Sequence, residues 1–180
     1  MISVAISACL LGEACRWDGA SKLTPGVAEF ARLPDVEVVA VCPEVAGGLS
    51  TPRDPSELVR RDGEVFVVTR NGDDVTRAFM HGALKCLEFV TEREIAFAVL
   101  KEGSPSCGST RIYDGSFSGK TIDDEGICAH LFRRNGIAVT NEIKLQTLLT
   151  DYFAKTAGNP ADKIECWDAK EFALWVQKNA

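Results

Sequence analysis

Ile2-Ser3-Val4-Ala5-Ile6-Ser7, followed directly by Ala8-Cys9-Leu10-Leu11-Gly12, is the stretch that decides the fold. Its first six residues are mostly apolar and include β-branched side chains, which is typical of a strand buried on both faces. Two later runs, Val36–Val41 and Ile95–Leu100, have the same character. The sequence therefore predicts three buried strands, and a shorter apolar run at Ile137–Val139 predicts a fourth.

Segments with the spacing of amphipathic helices lie between and after these strands. The predicted helices run over about Pro25–Leu33, from Asp73 or Asp74 to about Thr91, from Asp123 or Asp124 to Arg134, from Asn141 to about Ala157, and onward from Asp168. Strands that alternate with helices predict an α/β fold. We expect a three-layer domain whose mostly parallel, Rossmann-like sheet has helices on both faces. A small β-hairpin is also predicted, because the segments Glu57–Arg61 and Glu64–Thr69 flank Asp62-Gly63, a two-residue hairpin signal.

Composition and charge limit the classes of partner. The chain has 180 residues, which fits a single domain over 1–180, with helices at its C-terminal end over about 142–180. Its net charge of −6 disfavours a surface that tracks phosphates, so no large nucleic acid is expected as a partner. The apolar run Ile2–Leu11 is too short to span a bilayer, so no membrane partner is expected either.

The chain contains seven cysteines, an odd number without paired regular spacings. This pattern does not suggest a disulfide framework and favours a reducing, cytoplasmic compartment. Cys86 and Cys128 lie in predicted helices and Cys166 in the C-terminal region, and we expect all three to be structural. Only two histidines are present, which disfavours a histidine-based catalytic metal site.

Cys9, Cys42 and Cys107 each lie at or just beyond the carboxyl end of a predicted strand. Ligands of open α/β sheets bind at this edge, and thiolates are soft ligands suited to zinc, copper(I) or iron–sulfur clusters. The three cysteines predict a shared metal or nucleophile site, although each could instead be an inert core thiol. Cys15, in the same loop as Cys9, could be a fourth ligand or a support.

Polar residues near these strand ends add candidate functional groups. Glu44 follows Cys42 by two residues and could act as a general base, or could be a solvated loop acid. Ser104 precedes Cys107 by three residues and could hydrogen-bond a ligand, or could simply form a turn. Three further residues could bind substrate, although a loop salt bridge explains each equally well: Asp18, Arg53 and Asp114.

Three groups of motifs follow one another along the chain. They are Ser7-Ala8-Cys9-Leu10-Leu11-Gly12 with Cys15-Arg16-Trp17-Asp18-Gly19; Val41-Cys42-Pro43-Glu44-Val45 with Gly47-Gly48-Leu49 and Thr51-Pro52-Arg53; and Lys101 with Gly103-Ser104-Pro105-Ser106-Cys107-Gly108, Ile112-Tyr113-Asp114-Gly115 and Phe117-Ser118-Gly119. Over about residues 2–142 the chain resembles the DUF523 family, which includes thiouracil desulfurases (2-thiouracil desulfidases). Trp17 stands where tyrosine is usual in that family, and Cys128 stands where threonine is common.

The resemblance implies a [4Fe-4S] cluster held by only three cysteines. Carried over by motif, these are Cys9, Cys42 and Cys107, with Glu44 as catalytic acid/base and Ser104 as an assisting serine. The implied activity is non-redox removal of sulfur from a small thiolated base or nucleotide such as 2-thiouracil, giving uracil and hydrogen sulfide. An open iron is expected to act as the Lewis acid that binds the thiocarbonyl sulfur.

Other functions remain compatible with the sequence. One is a zinc or iron–sulfur module with a structural or regulatory role and no turnover. Another is a sulfur carrier that uses Cys107 or Cys9 as nucleophile. A third is an enzyme acting on thiolated nucleotides or tRNA, although the acidic charge disfavours large RNA.

Overall fold

The computed structural model describes residues 1–156 and 167–180, in which strands and helices alternate along the chain. The strands are β1 Ile2–Ser7, β2 Val36–Val41, β3 Ser56–Arg61, β4 Glu64–Thr69, β5 Phe97–Leu100, β6 Arg111–Tyr113, β7 Thr121–Asp123 and β8 Ala138–Asn141. The helices are α1 Pro25–Phe30, α2 Pro43–Ala46, α3 Thr76–Thr91, α4 Ile127–Arg134, α5 Glu142–Thr156 and α6 Ala169–Asn179. A 3₁₀ turn, Ala8–Leu11, follows β1 directly.

Four strands form a parallel sheet in the order β2-β1-β5-β8. From β1 the chain winds to β2 on one side and later continues to β5 on the other side. The winding direction therefore reverses between β1 and β5, the position at which open α/β sheets form a crevice at their carboxyl edge. The predicted three-layer α/β fold with a parallel sheet is confirmed.

Alternate residues of the central strands face opposite sides of the sheet, as strand geometry requires. Val4 and Ile6 of β1 pack with the helices α1, α5 and α6 on one face. Ala5, between them in sequence, packs with α3 and α4 on the other face. Helices thus cover both faces, which explains why the strands are apolar runs without polar alternation. Among the described residues, no helix has both the length and the apolar character needed to cross a bilayer.

Two antiparallel hairpins lie outside the parallel sheet. The predicted hairpin is present as β3 and β4, and its Asp62-Gly63 turn has positive φ at both residues, 51° and 83°. The second hairpin, β6 with β7, was not predicted. The prediction that α4 begins at Asp123 or Asp124 is wrong, because Asp123 ends β7 and the helix begins at Ile127. Strands of three residues are too short to show a period in the sequence.

Other predicted boundaries shift by a few residues. Helix α1 ends at Phe30 and not at Leu33, and the fourth sheet strand is Ala138–Asn141. Helix α3 begins at Thr76, whose N–H is accepted by the Asp74 carboxylate at 2.9 Å.

Two predicted helix starts are confirmed by their capping bonds. The Asn141 side chain accepts N–H groups of the first turn of α5, and the Asp168 carboxylate accepts the N–H groups of Lys170 and Glu171. The predicted end of α5 at Ala157, and Cys166, lie outside the described residues.

Helices α2 and α3 approach each other so closely that only glycine fits at the contact. A Cβ on Gly82 of α3 would lie 1.8 Å from the carbonyl oxygen of Pro43. A Cβ on Gly47, just after α2, would lie 2.2 Å from the carbonyl oxygen of Ala78. Backbone-to-backbone packing of this kind fixes the position of α2, which begins immediately after Cys42.

Candidate active site

A cavity of about 460 Å³ lies at the carboxyl edge of the parallel sheet. Cys9 follows β1, Cys42 follows β2 and Cys107 lies in the loop after β5, and all three line this cavity. Glu44 and Ser104 line it as well. The structure therefore brings together all five residues that the sequence singled out as cluster ligands or catalytic groups, at the point where the sheet reverses its winding.

The thiols of this cavity are close enough to influence each other's ionisation. Burial, and next the neighbouring Cys42, raise the pKa of Cys9 to about 11. Burial also raises the pKa of Cys107 well above its ordinary value of 9.0; Glu44, Cys9 and Cys42 add to this, while a hydrogen bond from Ser7 opposes it. None of these cysteines is in a disulfide. The protons on such thiols must leave when a metal binds, because the thiolate is the ligand form.

Cys15 also lines the cavity and lies beside Cys42. The Cys42 thiol donates to the carbonyl oxygen of Cys15 at 3.8 Å. Burial, and next the proximity of Cys42, raise the pKa of the Cys15 thiol to about 12. Its backbone carbonyl thus supports a neighbouring thiol, whichever role its own side chain has.

The donor set of this cavity fits an iron–sulfur cluster, because thiolates are the usual ligands of such clusters and three cysteines line the cavity. In a cluster each thiolate binds a different iron, so three cysteines from separate strand ends suit it.

Glu44 is held by Arg53, which was considered from the sequence as a substrate-binding residue. Arg53 Nε donates to Glu44 Oε2 at 2.8 Å, and Nη2 lies 2.7 Å from the same oxygen in an ion pair. The same guanidinium donates to the carbonyl oxygens of Cys15 at 2.9 Å and Ser50 at 3.1 Å. The Arg53 side chain is only 8% exposed. Arg53 therefore acts as a clamp that orients Glu44.

Ser104 organises the turn that carries Cys107. Its Oγ accepts the N–H groups of Ser106 and Cys107, both at 3.1 Å, and its carbonyl accepts the N–H of Gly108 at 2.8 Å. The two bonds to Oγ use the oxygen lone pairs, so the hydroxyl hydrogen remains available to donate into the cavity. Ser104 thus both holds the turn that carries Cys107 and presents a hydroxyl group to the cavity.

Glu102 is a residue of this loop that the sequence did not single out. Its Oε1 accepts the N–H groups of Arg111 at 2.7 Å and Thr110 at 3.2 Å. Its Oε2 accepts the Ser109 hydroxyl at 3.0 Å and the side-chain amide of Asn141. Burial alone would raise the pKa of Glu102, but these hydrogen bonds hold it below its ordinary value of 4.5. The carboxylate ties both ends of the 102–111 loop to the end of β8.

The remaining candidates lie where their local contacts explain them. Asp18 pairs with Arg16 at 2.9 Å, and Asp114 accepts the N–H and hydroxyl of Ser116; neither carboxylate lines the cavity. The hydrogen bonds from Ser116 lower the pKa of Asp114. Trp17 lies at the rim of the cavity and is 44% exposed.

Cys86 and Cys128 are buried side by side between α3 and α4, as expected of structural residues. A hydrogen bond between the two thiols lowers the pKa of Cys86 and raises that of Cys128. Cys128 is fully buried, so this departure from the family pattern lies in the core and not at the cavity surface.

Comparison with known proteins identifies the family of the chain. Residues 4–144 match the family model of the 2-thiouracil desulfurases. The chain is 38% identical over 152 residues to the protein of Bacillus subtilis (strain 168) described as uncharacterized protein YbbK, covering 81% of this chain and 99% of that protein. It is 44% identical to a solved structure described as the [4Fe-4S]-dependent thiouracil desulfidase TudS (DUF523Vcz), with a TM-score of 0.72 over 84% of this chain and 97% of the other. The chain therefore belongs to the 2-thiouracil desulfurase family.

Proposed function

We propose that this protein is a [4Fe-4S]-dependent desulfidase that removes sulfur from a thiolated pyrimidine such as 2-thiouracil. The observation that carries the proposal is the meeting of Cys9, Cys42 and Cys107 with Glu44 and Ser104 in one cavity. The [4Fe-4S] dependence named for the solved relative at 44% identity supports the cofactor.

Cys9, Cys42 and Cys107 would hold the cluster. When bound by only three thiolates, it supplies an open iron, a Lewis acid whose softness matches the sulfur of a thiocarbonyl group. Arg16 and Lys101 also line the cavity, and both favour the thiolate form of Cys9. The protein thus supplies both the thiolates and nearby positive charge.

Glu44 takes a proton from the water that attacks the thiocarbonyl carbon. Since Arg53 holds Oε2 alone, Oε1 is the oxygen that remains for the water. The Glu44 side chain is 17% exposed and lines the cavity, so water in the cavity reaches it. A general base must lie within hydrogen-bond reach of the proton it accepts, and the clamp by Arg53 fixes that direction.

Ser104 donates its hydroxyl hydrogen to the substrate as negative charge develops. Its oxygen is anchored by the N–H groups of Ser106 and Cys107, so the donor direction is fixed before the substrate arrives. Such preorganised donors stabilise a transition state more than mobile ones do. The products of the reaction are the pyrimidine with a carbonyl in place of the thiocarbonyl, and hydrogen sulfide.

We also propose a cytoplasmic location and a single domain over residues 1–180. A thiolate-bound cluster with an open iron requires a reducing compartment, which supports the first statement. The second is supported by the way α5 and α6 pack on the same sheet as the motif-bearing part of the chain.

Anaerobic purification followed by a visible spectrum, iron and sulfide analysis, and a sulfide-release assay with 2-thiouracil tests the proposal. We expect a brown protein that releases sulfide, and a Cys107→Ser variant that has lost both colour and activity. Cys86→Ser is the matched control, because Cys86 is a buried thiol outside the cavity. A wild type that stays colourless after reconstitution with iron and sulfide would exclude the proposed cofactor and reaction.

A further inference from the structure

Glu57, on β3, is a buried carboxylate that belongs to no ion pair among the described residues. It is only 7% exposed and lines the cavity. None of the ion pairs in the described part of the chain includes it. Within residues 1–156 and 167–180, the one hydrogen bond that its side chain accepts comes from the N–H of Phe117, which lies 3.0 Å from Oε2. Burying a carboxylate in this way is costly, and it leaves Oε1 as an acceptor for a donor that enters the cavity.

Phe117 also lines the cavity, and its backbone is strained. Its φ is 55°, in the left-handed region that bulky residues rarely adopt. Besides the bond to Glu57, the guanidinium of Arg70 stacks on its ring, 5.8 Å from the centroid. Strained residues that are held from several sides occur most often at functional sites.

The loop that carries Phe117 is fixed against the β3–β4 hairpin. Gly115 has a φ of 86°, and a Cβ there would lie 2.9 Å from the carbonyl oxygen of Leu58 and 3.0 Å from the side chain of Val59. Only glycine allows this approach. The Phe117 ring and Glu57 Oε1 therefore both lie on a part of the cavity wall that is fixed in position.

We propose that Glu57 and Phe117 form the subsite that recognises the ring of the substrate, an inference that rests on the proposed function. Phe117 stacks on the planar heterocycle, and Glu57 Oε1 accepts a hydrogen bond from a ring N–H. A pyrimidine thione such as 2-thiouracil offers both a flat π face and ring N–H donors. The subsite belongs to the hairpins, whereas the thiols, Glu44 and Ser104 lie at the edge of the parallel sheet. Recognition and reaction are therefore assigned to separate elements of the fold.

Steady-state sulfide release from 2-thiouracil by the cluster-loaded Glu57→Gln and Phe117→Leu variants tests this subsite. We expect KM to rise about tenfold for the loss of a charged hydrogen-bond acceptor and about fivefold for the loss of the aromatic face. The visible spectrum of the cluster and kcat should stay close to those of the wild type, because neither residue is assigned to hold the cluster or to act on the reacting atoms.

Thermal unfolding separates this role from a merely structural one. A glutamine at position 57 still accepts the N–H of Phe117 through its amide oxygen, while the buried charge is gone. We therefore expect the Tm of Glu57→Gln to equal or exceed that of the wild type while its KM rises. Two matched controls should keep the wild-type KM: Glu64→Gln, an exposed glutamate of the same hairpin, and Phe89→Leu, an exposed aromatic that also carries an arginine on its ring.

Methylated substrates identify the contacted nitrogen. In the wild type, either 1-methyl- or 3-methyl-2-thiouracil should show a KM raised about as much as by Glu57→Gln, because the methyl group replaces the donated hydrogen. In Glu57→Gln the same methyl group should add little, since the two changes remove one interaction. Fully additive effects for both analogues would overturn the assignment of Glu57 as the acceptor.

The outcomes distinguish the subsite from the reaction itself. Sulfide release with an unchanged KM in both variants would overturn the subsite and leave the desulfidase function standing. If the wild type released no sulfide, calorimetry of uracil binding to the cluster-loaded protein would decide the subsite alone. Uracil binding that weakens about tenfold in Glu57→Gln would then support it. No uracil binding, or binding that is equal in wild type and variant, would overturn it.

Discussion

Arg53 forms an ion pair with Glu44 through a single carboxylate oxygen, Oε2. Nε and Nη2 of the guanidinium lie 2.8 and 2.7 Å from Oε2, while Nη2 also donates to the backbone carbonyl of Cys15 and Nη1 donates to that of Ser50. The position of this oxygen is therefore fixed by two loops at once. The arrangement makes Arg53 a positioning residue and Glu44 the residue that meets the attacking water.

Arg53→Lys should lower kcat for 2-thiouracil by about 10²-fold, since a base displaced by about 1 Å loses that much rate. Lysine keeps the positive charge but cannot reproduce the planar fork. The measurement is sulfide release by the anaerobic enzyme, with the cluster spectrum as a check that the cofactor is retained.

Arg60→Lys is the matched control for this change. Arg60 likewise pairs with a single carboxylate oxygen, since its Nε and Nη2 donate to Asp124 Oδ2 at 3.2 and 2.6 Å, but the pair lies outside the cavity. We expect its kcat to stay within about twofold of the wild type, as an exposed ion pair has little energetic weight. Equal losses in the two variants would contradict a specific role for Arg53.

Ser104→Ala should reduce kcat by about 10²- to 10³-fold, the usual effect of removing one transition-state donor. It should also weaken the retention of iron in air, because the N–H groups of Ser106 and Cys107 lose their acceptor and the Cys107 turn loosens. Iron content over time measures the second effect. Ser118→Ala, a change of an exposed serine, should show neither effect; full activity in Ser104→Ala would remove this residue from the reaction.

The parallel sheet and the meeting of the three cysteines were predictable because both follow from local patterns. A run such as Ile2–Ser7 can hardly form anything other than a buried strand, and parallel strands bring their carboxyl ends to one edge. The position of Cys9, Cys42 and Cys107 was therefore available from the sequence, and the structure agrees. Their role as cluster ligands stays a prediction.

The hairpin side of the cavity was not predictable in the same way. Strands β6 and β7 have three residues each, and their pairing depends on a loop that leaves no periodic pattern. The burial of Glu57 and the positive φ of Phe117 arise from contacts between segments 60 residues apart. The sequence allows Arg53 either to bind substrate or to form a loop salt bridge, and only the folded chain identifies Glu44 as its partner.

Glu102→Gln should destabilise the protein at neutral pH by about 2 kcal/mol, as several hydrogen bonds to a charged acceptor weaken together. For a chain of this length, that corresponds to a fall in Tm of about 4–8 °C. The effect should depend on pH with a definite sign. Because the folded pKa lies below the ordinary value of 4.5, the stabilisation is complete above pH 4.5 and is lost as pH falls through the folded pKa.

Thermal unfolding of the cluster-free protein between pH 7 and pH 3 measures this dependence. The difference in Tm between wild type and Glu102→Gln should be largest at pH 7 and shrink below pH 4.5. Glu64→Gln, in which an exposed carboxylate is neutralised, should show no such trend. A difference that grows toward acid pH would contradict the hydrogen-bonded, ionised state assigned to Glu102.

Gly82→Ala has two opposing effects on stability, a gain in helix propensity and a loss of packing, and we expect the loss of packing to be larger. In the interior of a helix, alanine is favoured over glycine by about 1 kcal/mol. The added Cβ would, however, lie 1.8 Å from the carbonyl oxygen of Pro43 and 2.8 Å from the backbone nitrogen of Gly47, and backbone atoms cannot rotate away. Helix α2 must then move off α3, carrying Cys42 and Glu44 with it.

For Gly82→Ala we expect a lower Tm, a reduced iron content and almost no sulfide release. Leu84→Ala, a change on the exposed side of the same helix, should keep the wild-type Tm, iron content and sulfide release. A more stable and fully active Gly82→Ala variant would show that α2 is free to shift, and that the close contact of the two helices is not what positions the cavity.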